Sequence, residues 1–316
     1  MKIFQVLKPG FFTTVQDLGR FGYLRYGVPI SGAMDTFSLI AANSLLGNRP
    51  NDACLEMTLL GPELRVLEQT QIAVAGGEIS ARVDDKILPL WQTVDVRKGE
   101  TIFFGRMGCG CRAYLAVKGG VDVPVVLGSR STCVRAGIGG VEGRLVKAGD
   151  TMGGLKAPFL RSKYSVPVDL RPTFPRQLEA RVVLGPQVDL HSEEGLNCFL
   201  SSQYRITSES DRMGYRLEGP KVQHRDGADI VSDAILPGSV QIPKDGKPIV
   251  VMRDAQTTGG YPKIAAVVTP DISSLGQVKP GDSVKFSKVA ISQACEIYRR
   301  NHRLLNNLKQ ALIQIP

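Results

Sequence analysis

Val96-Arg-Lys-Gly99-Glu100-Thr101-Ile102 occurs twice more in close variants, as Val146-Lys-Ala-Gly149-Asp150-Thr151-Met152 and as Val278-Lys-Pro-Gly281-Asp282-Ser283-Val284. The shared pattern is Val, basic, any residue, Gly, acid, hydroxyl, apolar. Glycine supplies the backbone freedom of a tight turn, so each copy predicts a strand, a turn and a return strand. A looser pair joins Leu59-Leu60-Gly61-Pro62-Glu63-Leu64 to Leu217-Glu218-Gly219-Pro220-Lys221-Val222. Together the repeats predict two similar halves made by internal duplication, with a long insertion in the second.

Outward from these turns, β-rich runs dominate both halves. Gln71-Ile-Ala-Val-Ala, Thr101-Ile-Phe-Phe, Arg112-Ala-Tyr-Leu-Ala-Val, Ala180-Arg-Val-Val-Leu, Pro248-Ile-Val-Val-Met and Lys263-Ile-Ala-Ala-Val-Val are short and bounded by Gly, Pro, Asp or Asn. Helices are few. The clearest spans 35–46, with Asp35 as its N-cap and Gly47 just past its end. Strands at this frequency imply barrels or sandwiches rather than alternating βαβ units. Pro158, Pro167, Pro172 and Pro175 mark a linker. The expected organisation is therefore residues 1–157, residues 178–290 and a C-terminal helix at 291–316.

Composition narrows the function. Hydrophobic content of 43% and charged content of 22% are those of a globular chain. Lys8, Pro9 and Gly10 interrupt the apolar start before a signal core can form, and no run approaches a membrane span, so a cytoplasmic protein is expected. Six scattered cysteines then predict free thiols. His191, His224 and His302 fall at no metal-finger spacing, and no metal is expected. Residues 285–316 carry a net +5 of the chain's +9. Their apolar residues recur at 291, 294, 295, 298, 305, 308 and 312, which predicts a helix docked on the body with a solvated basic face. With aromatics at 6% there is no stacking platform, and nucleic acid is not expected as a partner.

The chain lacks Gly-x-x-x-x-Gly-Lys-Ser/Thr, Gly-x-Ser-x-Gly and His-Glu-x-x-His. Any nucleotide is therefore handled by another route or through a partner. Polar density rises at four places: residues 13–23, residues 27–35, residues 210–217, and Asp254-Ala-Gln256-Thr257-Thr258-Gly259-Gly260-Tyr261-Pro262. Arg20, Arg212 and Arg216 offer planar forks for a carboxylate or phosphate, while Asp17 and Asp211 are each close enough in sequence to pair with an arginine. Read alone, Gly259-Gly260 before Pro262 marks a turn between strands.

Thr-Thr-Val-Gln-Asp-Leu-Gly-Arg (13–20), Gly-Val-Pro-Ile-Ser-Gly-Ala-Met-Asp (27–35), Tyr-Leu-Ala-Val-Lys-Gly-Gly-Val-Asp-Val-Pro (114–124), Gly-Ser-Arg-Ser-Thr (128–132), Ser-Asp-Arg-Met-Gly-Tyr-Arg-Leu (210–217) and Gln-Thr-Thr-Gly-Gly-Tyr-Pro (256–262) appear in that order. With them the chain, from about Leu7 to Phe286, resembles the family variously named the C component of 5-oxoprolinase, Kip antagonist and allophanate hydrolase subunit 2. The resemblance implies a mainly β fold with a few helices, built as two cyclophilin-like β-barrel domains related by internal duplication. It also implies a partner, the Kip inhibitor-like B component. In bacterial 5-oxoprolinase that pair activates the lactam with ATP, and a lactamase-type A component opens the ring to glutamate.

The same fold serves carboxyl transfer from carboxybiotin to urea, but no Met-Lys-Met site is present, so covalently attached biotin is not expected. A third possibility is a regulatory antagonist that sequesters a kinase-inhibitor homologue of the B component. Under the resemblance Asp17, Arg20, Asp211 and Arg212 become catalytic candidates. Tyr215, Gln256, Thr257, Thr258, Gly259, Gly260 and Tyr261 become the substrate-binding set, since a developing oxyanion needs fixed donors.

Overall fold

The computed structural model describes residues 1–225 and 227–316. It divides into two units: Met1–Arg20 with Ser31–Thr173 and Leu304–Pro316, and Phe21–Ile30 with Phe174–Arg303. One of its breaks, between Thr173 and Phe174, lies within the proline-marked stretch 158–175. Part of that linker is structured, because Lys163–Ser165 pairs with Ile313–Ile315 and Val166 is fully buried. Residues 304–316 accordingly belong to the first unit rather than to a separate tail.

In the first unit, two sheets pack face to face. One runs in the order Val121–Asp122, Thr151–Gly154, Lys2–Lys8, Glu63–Val66, Thr101–Met107, Ile79–Val83, Lys86–Ile87; the other runs Phe12–Gln16, Cys54–Thr58, Arg112–Val117, Thr70–Gly76, Thr93–Val96. Ile3, Phe4, Leu64 and Phe104 of the first sheet meet Val15, Leu55, Ile72, Val74 and Leu115 of the second in one core. The opposite face of the second sheet is covered as well. There Ala73, Ala75, Tyr114 and Ala116 pack against Leu39, Ile40 and Leu45 of the helix Thr36–Leu45. Burial on both faces explains why Gln71–Ala75 and Arg112–Val117 read as continuous runs instead of alternating ones. Asp35 caps the helix as expected, accepting from the Ser38 N–H at 3.1 Å, and Gly47 follows at φ 63°.

In the second unit, seven strands close a barrel: Gln177–Leu184, Lys263–Val267, Ser239–Gln241, Ile249–Val251, Gly214–Glu218, Gln203–Ile206 and Ser283–Lys288, which returns in parallel to the first. Residues at period two are buried, as a half-buried barrel strand requires: Tyr204 and Ile206, Tyr215 and Leu217, Val284 and Phe286. Phe199, from the helix Glu193–Ser201, stacks on Phe286 at 4.6 Å. Among the described residues the fold is thus mainly β, with four α-helices and one closed barrel. A pair of duplicated barrels is not what the pairing gives, because the first unit is two sheets.

The three repeated turns share their geometry. Gly99, Gly149 and Gly281 all lie at φ 91–95°. In each turn the following acid accepts from the backbone N–H three residues earlier: Glu100 from Arg97 at 2.7 Å, Asp150 from Lys147 at 2.8 Å, Asp282 from Lys279 at 3.0 Å. That explains the fixed Gly-acid order. Each return strand also forms, but the incoming side differs. Only Val96 ends a strand, and that strand lies in the five-stranded sheet while Thr101–Met107 lies in the seven-stranded one. The motif redirects the chain rather than making a hairpin.

The helix expected over 291–316 spans only Ile291–Asn307, since Ile313–Ile315 is a strand, and its apolar stripe is not docked along its length. Ile291 and Tyr298 are exposed, while Leu305, Leu308 and Leu312 join the first unit's core. No helix among the described residues is long and apolar enough to cross a membrane.

Candidate functional site

Asp17 follows the strand Phe12–Gln16 and is nearly fully buried. Its Oδ1 accepts from the Gly19 N–H at 2.8 Å, Ser129 Oγ at 2.6 Å and Ser131 Oγ at 2.5 Å, and its Oδ2 from the Arg130 N–H at 2.7 Å. Arg20, also fully buried, donates Nε to Val126 O at 3.1 Å and Nη2 to Ser131 O at 2.8 Å. Two ordered motifs, 13–20 and 128–132, thereby meet. Both side chains grip the 126–131 segment. Beside them Gln16 Oε1 and Ser31 Oγ are buried with no hydrogen-bond partner among the described residues.

The motifs 27–35 and 114–124 meet through Glu56, which sequence reasoning missed. Glu56 Oε2 accepts from Tyr114 Oη at 2.7 Å and the Met34 N–H at 2.9 Å, while Tyr114 Oη accepts from the Asp35 N–H at 2.8 Å. Arg112 Nε lies 3.7 Å from Glu56 Oε1. Burial first, then the Glu56 charge, pushes the Tyr114 phenol well above its ordinary range. The available signal was a lone acid inside the fully buried strand Cys54–Thr58, a position that demands a partner.

In the barrel unit the sequence candidates separate into distinct roles. Arg212 pairs with Asp254, not Asp211: Nε reaches Oδ2 at 2.8 Å and Nη2 reaches Oδ1 at 3.1 Å, with both side chains buried. The backbone pairs as well, Asp254 N–H donating to Arg212 O at 2.8 Å. Asp211 is exposed and accepts from the Met213 and Gly214 N–H groups, a turn-forming role. Tyr215 is buried in the strand Gly214–Glu218.

The segment 256–261 lies along residues 230–235. Thr258–Gly259 pairs with Asp233–Ala234, Thr257 O accepts from the Ile235 N–H, and Gly260 O from the Ile230 N–H. Neither Gly259 nor Gly260 has a positive φ, so neither is there for left-handed backbone. A Cβ at Gly259 would stand 2.7 Å from Gln241 Nε2, the mobile end of a side chain, so a larger residue there would have to displace that amide. Gln256 and Thr258 are exposed. Lys263, unmarked by the sequence, is buried with Nζ on the Asp233 carboxylate and on Ala234 O. That bond holds the Asp233 carboxyl below the usual carboxylate range.

Tyr261 borders a polar cavity of about 570 Å³ whose walls include Glu209, Arg216, Glu218, Lys247 and Ile249. Arg216 Nε stands 3.6 Å from Glu209 and Lys247 Nζ 3.0 Å from Glu218, all with substantial exposure. Weakly held, solvated charges of both signs can exchange partners for a small polar ligand at little cost.

Among the described residues no group of three or more His, Cys, Asp or Glu side chains is placed to hold a metal. His191 and His224 do meet, with ring centroids 5.0 Å apart. His191 Nδ1 faces Gln187 O at 3.2 Å and His224 Nε2 faces Pro243 O at 3.1 Å, which makes these nitrogens the protonated ones. The other nitrogen of each ring is buried without a partner among the described residues. Burial first, then the His224 field, lowers the His191 pKa, opposed chiefly by the backbone hydrogen bond to Gln187. A depressed histidine stabilises the fold above its unfolded value of about 6.5, and that contribution is lost as pH falls through the folded value. Thermal midpoints measured from pH 8 to pH 5 should therefore drop, and His191→Phe should flatten the curve; parallel curves would count against this.

With this geometry in place the class is defined. The chain belongs to the carboxyltransferase domain family, subdomains A and B, which it matches over residues 26–288. It is 37% identical over 298 residues to the C component of 5-oxoprolinase from Haemophilus influenzae, covering 94% of each chain. To the Escherichia coli 5-oxoprolinase C component it is 36% identical over 310 residues, covering 96% of this chain and 97% of that one. The crystal structure of the K. lactis urea amidolyase superposes with a TM-score of 0.92 at 33% identity over 98% of this chain. The chain spans only 20% of that amidolyase.

Proposed function

We propose that this chain acts as the C component of an ATP-dependent 5-oxoprolinase, a hydrolase component that works with a B component to activate 5-oxoproline for ring opening to glutamate. What carries this reading is length as well as identity. Both bacterial C-component relatives are matched nearly end to end, whereas the amidolyase is matched over a fifth of its length. ATP enters with the partner, a lactamase-type A component completes the reaction, and the assembly is cytoplasmic. The three shared turns support a common origin for the two units, although only the second closes a barrel.

Asp17, Arg20, Arg212 and Asp254 are positioning residues: both carboxylates, Arg20 Nε and Nη2, and Arg212 Nε and Nη2 are bonded to the protein. Substrate contact falls to the more open groups, the cavity beside Tyr261 and the hydroxyls of Thr257 and Thr258. Arg216, an exposed planar fork in that cavity, suits the substrate carboxylate.

The test is co-purification with a homologue of the B component and an assay of 5-oxoproline-dependent ATP hydrolysis. Turnover by the pair and not by the chain alone is expected, and Arg216→Met should raise KM about tenfold with a smaller effect on kcat. The high TM-score with the urea amidolyase favours a second reading, a carboxyltransferase fed by a separate biotin carrier. Urea-dependent turnover with such a carrier, and none with 5-oxoproline, would select it.

A further inference from the structure

The motif 114–124 contributes Tyr114 to the Glu56 network, but its lysine has no part there. Lys118 follows the strand Arg112–Val117 and is only 8% exposed. Its Nζ donates to Leu46 O at 2.6 Å, just beyond the helix Thr36–Leu45. An ammonium has three donors, so two of them have no acceptor among the described residues.

Lys118 lines a cavity of about 390 Å³ within the first unit, together with Ile3, Leu155, Lys156, Pro158 and Phe159. That volume lies in the range of small-molecule sites. Its walls are largely hydrocarbon, and the charged side chains on them are two lysines with no acid. Burial first, then the Lys309 field, lowers the Lys118 pKa; Asp52 opposes. Asp52 is already engaged by Arg49, through its N–H at 2.9 Å, Nε at 3.1 Å and Nη2 at 2.9 Å. The cavity therefore holds excess positive charge, incompletely hydrogen-bonded, beside an apolar wall.

We propose that this cavity binds a small organic monoanion with a hydrocarbon body, a short- or medium-chain carboxylate, with its head group at Lys118 and Lys156. The carboxylate would accept the two unmatched Lys118 donors and offset the repulsion from Lys309. The chain of the ligand would lie against Ile3, Leu155, Pro158 and Phe159. This site is independent of the polar cavity beside Tyr261 and does not depend on the proposed activity.

The test uses the purified full chain and three probes by isothermal titration at pH 7 and low salt: octanoate, 1-octanol and inorganic phosphate. Octanoate should bind at least about tenfold more tightly than either, because each of the others lacks one half of the recognition. Lys118→Met should weaken octanoate about tenfold or more, Lys156→Met severalfold, and octanoate should protect Lys118 from trinitrobenzenesulfonate in peptide mapping. Lys156→Met keeps the bond to Leu46 O, so it decides the matter if Lys118→Met folds poorly. Octanol binding as tightly as octanoate would overturn the charge argument, and phosphate doing so would overturn the hydrocarbon one. An octanoate affinity unchanged by Lys156→Met, with no protection of Lys118, would overturn the site itself.

Discussion

Asp254→Ala should lower the stability of the barrel unit by about 3–5 kcal/mol, the cost of breaking a buried ion pair by removing one partner. The two side chains are 6% and 7% exposed, so water can do little to rescue the guanidinium. The carboxylate also receives two parallel N–H bonds, at 2.8 and 3.1 Å. Replacing both partners, as Arg212→Met with Asp254→Leu, should recover most of the loss, because the penalty belongs to the stranded charge. Urea unfolding followed by circular dichroism measures this. A single variant within about 1 kcal/mol of wild type, or a double variant no better than the single, would contradict the account. The same double variant separates positioning from chemistry: restored stability with restored turnover would mean that the pair only holds the strand Gly214–Glu218 against residue 254.

Asp17→Ala should be comparably severe for the first unit, at about 4 kcal/mol or more. Four hydrogen bonds converge on that carboxylate, and three of their donors lie on residues more than a hundred positions away. Removing it strands the Ser129 and Ser131 hydroxyls and the Arg130 N–H in a dry environment. Asp17→Asn should be milder, since the amide retains one acceptor oxygen. The measurement is a pair of thermal melts with limited proteolysis, in which cleavage should appear first within residues 126–144. Arg20 grips the same segment, so the effect of Arg20→Met should not add to that of Asp17→Ala. Full additivity would show that the two act on separate structures.

What the sequence made legible was local. Asp35 and Gly47 bracket the helix Thr36–Leu45 because a cap and a left-handed stop act within one turn. The repeated Gly-acid turns were readable for the same reason, as the acid reaches back only three residues. Sheet membership was not readable, because whether a turn returns a strand to its own sheet or passes it to another depends on the opposite layer. The partner of Arg212 was equally hidden. Asp211 is adjacent in sequence, but its carboxylate is consumed by the turn at Met213 and Gly214, and the true partner lies 42 residues on. Glu56 and Lys263 stood in apolar runs as isolated charges whose partners only tertiary structure could supply. Gly259-Gly260 reads as a turn, whereas Gly259 lies in a short strand beside Asp233, with the Gln241 amide against it.

The pairing of Lys163–Ser165 with Ile313–Ile315, and the burial of Leu308 in the first unit's core, bear on how the polypeptide matures. On the ribosome, residues 174–303 are made between those two partners, so the second unit is fully synthesised before the first can close its last strand pair. Until residues 304–316 emerge, the Lys163–Ser165 edge and the hydrophobic seat of Leu308 stay open to water and to other nascent chains. The vulnerable interval in biogenesis thus belongs to the unit whose segments flank the other along the chain.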